Sequence, residues 1–145
     1  MGGMTMDGQI NVDYLASKYA QEIVKKTDGE NMKALENLAT KTLAVLQEQG
    51  IYAMMLFLRS RTRDERKLSK VIWEHLCSML EKIPNFNYEP DKCKEENILV
   101  YYSSITNDLD SLLLVRSLYV QTLIYTRYGA KAARIECESK NGGKK

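Results

Sequence analysis

The stretch Gln49–Lys70, QGIYAMMLFLRSRTRDERKLSK, decides between a helical and a mixed fold. From Ile51 to Leu58 it is apolar on nearly every side, and a run this short could be a buried strand on periodicity alone. Ala53, Met54, Met55 and Leu56 are consecutive good or neutral helix formers without β-branching, so the segment reads as helix. Gly50 is either the end of a preceding helix or a close-contact point between helices. Beyond the apolar run come Arg59, Arg61, Arg63, Arg66, Lys67 and Lys70, opposed only by Asp64 and Glu65. Residues 59–70 carry a formal charge of +4 in a chain whose total is +2. Positive charge this local on a helical scaffold points to a polyanion partner.

Working outward, the helical pattern continues in both directions. Val12, Leu15, Ala16, Tyr19, Ala20, Ile23 and Val24 lie at the spacing of one apolar helix stripe, with Asn11 placed to cap it and Thr27-Asp28-Gly29 to stop it. A second helix from Glu30 or Asn31 carries Leu35, Leu38, Ala39, Leu43 and Leu46 inward. Thr62-Arg63-Asp64-Glu65 has the form of a capping box opening a helix whose inner stripe reads Leu68, Val71, Ile72, His75, Leu76, Met79, Leu80 and Ile83. PNFNYEP, residues 84–90, is a turn-rich connector, and a shorter helix is expected from about Lys92 to Ile105. The longest helix is expected from Asp108 to about Arg134, capped by Thr106 or Asn107. Its apolar residues cover more than half its circumference.

These elements predict an all-α, single-domain bundle of about five to six helices with a long, largely buried C-terminal helix. Residues 1–10 and 136–145 read as flexible tails around a helical domain at 11–135. A chain of 145 residues is long enough for a core that needs neither metal nor disulfide. Cys77, Cys93 and Cys137 form no CxxC pair, and their odd count reads as reduced thiols in a cytoplasmic protein. No apolar run approaches the ~20 residues that span a bilayer, so no membrane partner is expected.

Catalytic chemistry finds little support. There is no GxGxxG, no phosphate-binding GxxxxGKS-like loop and no HExxH, and no metal or other cofactor is expected. The single histidine, His75, falls on the inner stripe of its helix and reads as a packed core residue. Cys77 is two positions away, where helical side chains diverge by about 200°, too far apart for a nucleophile–base pair. Asp108 and Asp110 are explained by dipole compensation at a helix start. The chain reads as a non-enzyme. Its remaining constellation is the basic joint, Arg59, Arg61, Arg63, Arg66, Lys67 and Lys70, with Lys41, Arg116, Arg127 and Lys131 as further candidates for contact with a polyanion.

The order of these features resembles the small helical subunit of the type III-B CRISPR-Cas effector, the Cmr complex. Ala16, Tyr19, Ala20 and Val24 resemble an A-x-x-Y-A-x-x-x-V pattern of its first helix. Gln49-Gly50-Ile51 through Leu56-Phe57-Leu58-Arg59 resembles a glycine-led apolar element ending in a basic residue. Ile72-Trp73-Glu74-His75-Leu76 is similar to an L-Y-x-H-L helix, and Thr126-Arg127-Tyr128-Gly129 to a K-R-F-A-like segment. Ile124 and Ser117 stand where the family often has tryptophan and glutamate. The resemblance implies a non-catalytic subunit in antiviral defence that stacks head to tail with copies of itself, joins other Cmr subunits and binds guide and target RNA backbone through a basic face. Without it, a charge run at such a joint is more often a solvated surface, and the alternative is a structural helical adaptor with no direct nucleic-acid contact.

Overall fold

Asn11 caps the first helix as expected: its Oδ1 accepts the Tyr14 N–H at 3.0 Å. The computed structural model describes residues 11–142, so the expected N-terminal tail at 1–10 lies outside the described residues. Six α-helices follow in chain order: α1 (Val12–Lys25), α2 (Met32–Gln49), α3 (Ile51–Arg59), α4 (Asp64–Ser78), α5 (Ile98–Ile105) and α6 (Leu109–Gly142). Short 3₁₀ turns at Gly29–Asn31, Met79–Lys82 and Pro90–Cys93 join them. There is no strand among the described residues, and the all-α expectation holds.

The apolar stripe of α1 buries Leu15, Ala16, Tyr19, Ala20 and Ile23. Helix α6 packs along both α1 and α2 and is the axis around which the bundle is built. Its buried residues, Val115, Leu118, Tyr119, Thr122, Leu123, Thr126 and Ala130, form one stripe through the middle of the helix. Leu109, Leu113, Tyr128 and Ile135 are exposed, so α6 is buried along one face rather than over most of its circumference. It also continues past Arg134 to Gly142, and the segment expected to be a polar tail is helical where described, with Glu136–Lys140 exposed.

Gly50 separates α2 from α3 with φ 97° and ψ −176°, a backbone region that essentially only glycine occupies. A Cβ built there meets nothing within 4 Å, which settles its role as conformational rather than as a close-contact point. Gly50→Ala is expected to lower stability by about 1–3 kcal/mol, read as a shifted denaturation midpoint with unchanged slope. Helix α3 then buries Ile51, Met54, Met55 and Leu58 at helical spacing and exposes Tyr52 and Leu56.

Three further local expectations are corrected. The shorter helix does not begin near Lys92: Pro90 starts a 3₁₀ turn, and α5 is confined to Ile98–Ile105. Neither Thr106 nor Asn107 caps α6. Thr106 donates its hydroxyl to the Ser103 carbonyl, and Asp108 supplies the first backbone acceptor, to Leu112 N–H at 2.9 Å. His75 is only half-buried at the edge of α4, with its Nδ1–H donated to the Val71 carbonyl at 2.7 Å. Its neighbours Ile72 and Leu76 take the core instead.

The largest correction concerns the thiols. Cys77 and Cys93 form a disulfide, with Cα atoms 5.8 Å apart. The turn-rich connector brings the chain back so that its 3₁₀ turn at Pro90–Cys93 packs against α4. Cys137 is free and exposed on α6. Among the described residues, no helix is long and apolar enough to cross a membrane.

A buried polar chain ties three helices together. Tyr119 Oη donates to the Leu76 carbonyl at 2.6 Å and lies 2.5 Å from Tyr102 Oη. A carbonyl carries no proton, so the Tyr119 proton is committed to it and Tyr102 must donate to Tyr119. Burial pushes the Tyr119 phenol well up, and that of Tyr102 likewise.

Candidate nucleic-acid interface

The basic joint is the turn between α3 and α4, and it is pinned from beneath. Ser69 on α4 is buried and donates its hydroxyl to the Leu58 carbonyl at the end of α3. The expected capping box does not form. Arg63 occupies the N-cap position of α4 with φ 50° and ψ −118°, and no side-chain capping hydrogen bond is made. The Glu65 N–H donates instead to the Thr62 backbone carbonyl at 3.2 Å. The Glu65 carboxylate turns sideways to Lys41 Nζ at 2.7 Å and Arg61 at 3.5 Å. The hydrogen bond from the Lys41 ammonium holds the Glu65 carboxyl below its usual range, against a smaller opposing push from burial.

The ten candidate cations separate by what they touch. Arg61 folds back on α3: its Nε donates to the Phe57 carbonyl at 3.1 Å and its guanidinium lies 4.0 Å from the centre of the Phe57 ring. A cation at a helix C-terminus is favourable, which makes Arg61 a cap of α3. Arg59 lies over Trp73 at 5.4 Å and reaches Glu95 at 3.9 Å, while Lys70 meets the same carboxylate at 3.5 Å. Lys41 joins the joint through Glu65.

Arg63, Arg66 and Lys67 are exposed and make no ion pair with any carboxylate among the described residues. Two of them occupy the first turn of α4, where the helix dipole is positive and cations are disfavoured. Asp64 and Glu65 in the same turn offset that cost. Exposed cations at the positive end of a helix form a surface suited to phosphate.

The candidates on α6 stand apart from this group. Arg116 donates to the Gln47 carbonyl at 3.2 Å, in the last turn of α2, and Arg127 lies over Tyr128 at 4.8 Å. Lys131 is exposed. No hydrogen bond or ion pair among the described residues connects Arg116, Arg127 or Lys131 to the joint. The chain matches no protein-family profile, no curated protein and no solved structure.

One participant carries no mark in the sequence around the joint: Glu95 lies 25 positions beyond Lys70, yet it lines the joint together with Trp73, which is only three positions beyond Lys70. The only sequence signal for Glu95 is its position two residues after Cys93. Among the described residues, no group of three or more His, Cys, Asp or Glu is placed to hold a metal.

The φ of Arg63 lies in the left-handed region that favours glycine. Arg63→Gly is therefore expected to raise stability by about 1 kcal/mol while removing a cation. Thermal unfolding measured beside RNA affinity separates the two effects, and a stability loss would overturn the account of this turn.

Proposed function

We propose that this chain is a non-catalytic helical subunit of an RNA-guided effector, of the kind the Cmr resemblance implies, and that it binds RNA backbone through the start of α4. One observation carries the reading. Arg63, Arg66 and Lys67 stand exposed, without carboxylate partners among the described residues, at a helix end where cations weaken the fold. Their placement lacks an internal structural account, and a phosphate backbone supplies one. Base pairing between two RNA strands reads sequence, so such a protein needs only positive charge at suitable spacing.

While they hold their internal partners, the other joint residues support these three rather than add to them. Arg61 ends α3, Lys41 and Glu65 brace α2 against α4, and Arg59 packs on Trp73. The test is the salt dependence of binding between the full chain and a fluorescent single-stranded RNA of about twenty nucleotides. Engagement of three to four phosphates gives a log–log slope of about −2 to −3. A flat titration, or no binding at low salt, overturns the proposal.

A second reading, a structural adaptor, draws on the exposed Tyr52 and Leu56 of α3 and Leu109 and Leu113 of α6. Each pair is four residues apart on its helix, so each helix presents an apolar edge to a neighbour. The adaptor reading requires a reconstituted assembly to protect RNA equally well with the joint neutralised.

A further inference from the structure

Between the end of α3 and the first turns of α4 lies a cleft of about 290 Å³, lined by Arg59, Arg61, Arg66, Lys70, Trp73 and Glu95. Four of these are cations and one is a carboxylate. The Glu95 oxygens lie 3.9 Å from Arg59 Nη2 and 3.5 Å from Lys70 Nζ. Both separations exceed a good charge-assisted hydrogen bond, and all three side chains are partly exposed, so these pairs are weak. Arg66 lines the same cleft with no carboxylate partner among the described residues. The Nε–H of Arg59 is buried without a hydrogen-bond partner. A guanidinium whose donors are met by one distant carboxylate oxygen is short of an acceptor, and guanidinium donors bind phosphate oxygens in pairs.

The disulfide ties the segment that carries Glu95 to α4. Cys93 closes the 3₁₀ turn Pro90–Cys93, its sulfur is bonded to Cys77 in α4, and Glu95 is two residues further on. Cys77 lies in the same helix as Lys70 and Trp73, so the bond fixes the Glu95 segment to the helix that forms one wall of the cleft. The segment is also tied to α5, since the Asn97 and Ile98 N–H groups donate to the Lys94 carbonyl and Ile98 is buried, while Asn97 Nδ2 donates to the Asp91 carbonyl and Lys92 pairs with Glu89 within the segment itself.

We propose that this cleft takes one phosphate of an RNA strand, that Glu95 occupies it as an internal carboxylate stand-in, and that the Cys77–Cys93 disulfide holds Glu95 there until a thiol reductant releases it. The proposal rests on the RNA-backbone reading above and adds a specific pocket and a switch to it. A dithiol supplies the chemistry. Its thiolate attacks the half-buried Cys93 sulfur, and Cys77 leaves as a thiolate that takes up a proton. The second thiol of the reductant resolves the mixed disulfide and frees Cys93. Two electrons and two protons pass to the protein, and the reductant ends as its own disulfide. The Glu95 carboxylate is then held in the cleft by two weak ion pairs alone, and a phosphodiester replaces it at Arg59, Arg66 and Lys70.

The experiment compares RNA affinity of the full chain with the disulfide closed and after dithiol reduction, in a Cys137→Ser background that prevents cross-linking between molecules. Reduction is expected to tighten binding about three- to tenfold at 0.1 M salt and to steepen the log–log slope by about 0.7, the value for one added phosphate on a single strand. Glu95→Gln in the closed form is expected to give the same gain and to show no further response to reduction. Inorganic phosphate at matching phosphate concentration is expected not to compete.

Equal binding by the closed, reduced and Glu95→Gln forms overturns the pocket and leaves the role of Arg63, Arg66 and Lys67 standing. Tighter binding by Glu95→Gln with no effect of reduction overturns the switch. Strong competition by inorganic phosphate overturns the RNA assignment in favour of a free anion. Absence of salt-dependent RNA binding in every form overturns both this proposal and the function it rests on.

Discussion

Replacing Arg63, Arg66 and Lys67 together with glutamate is expected to lower RNA affinity by about a hundredfold or more at 0.1 M salt, and to flatten the log–log slope by about 2. The slope change is the counterion release lost with three single-strand phosphate contacts, and the added carboxylates repel what remains. The same variant is expected to be at least as stable as the parent. All three residues are exposed and none gives up an ion pair seen among the described residues. Two of the new glutamates enter the first turn of α4, where acidic side chains are favourable by about 0.3–1 kcal/mol each. Affinity and stability thus move in opposite directions, which separates lost binding from lost folding. Fluorescence anisotropy and thermal unfolding on one preparation suffice, and unchanged affinity would remove the central support for RNA binding.

Removal of one phenolic oxygen from the interior has the largest expected effect on stability. Tyr119→Phe deprives the Leu76 carbonyl of its donor and leaves the Tyr102 hydroxyl buried with nothing to donate to. A stranded buried hydroxyl and a lost hydrogen bond together cost about 2–3 kcal/mol. Tyr102→Phe removes only the outer donor, while Tyr119 keeps its bond to Leu76, and is expected to cost about 1 kcal/mol or less. Denaturant unfolding of the two variants tests this asymmetry, and equal losses would contradict the assigned proton direction.

The same tyrosines set an alkaline limit. Burial raises the Tyr101 phenol from its ordinary value of 10.0 to about 12, and raises Tyr102 and Tyr119 further. A phenol whose folded pKa exceeds its unfolded one retains its proton better in the folded state. Its contribution is complete below about pH 10 and is lost as pH rises through the folded value. Stability measured from pH 8 to 12 should therefore show its tyrosine-linked decline only above about pH 10.

Elements whose residues repeat at helical spacing were legible in the chain. The stripe from Leu15 to Ile23 defined α1, and the unbranched run Ala53–Leu56 marked α3 as helix rather than strand. Gly50 marked the break between α2 and α3, and its backbone angle, not its packing, explains why. Features made by tertiary approach were not legible. Cys77 and Cys93 are 16 positions apart across an irregular connector, and no periodic pattern registers their meeting. Glu65 satisfied the spacing of a capping box, but Lys41 and Arg61 compete for its carboxylate and win. In the candidate site, the sequence located the cations but not their division into braced and unbraced groups. That division depends on Phe57, Trp73, Glu65 and Glu95, which the fold brings beside them.

Trp73 is the sole tryptophan of a chain with nine tyrosines, and it lies beneath the Arg59 guanidinium in the wall of the cleft. The molecule thus carries an intrinsic fluorophore at the one place where its charge is concentrated. Indole emission responds to a cation moving on or off its face, so ligand arrival at the joint can be followed on the unlabelled protein and timed by rapid mixing.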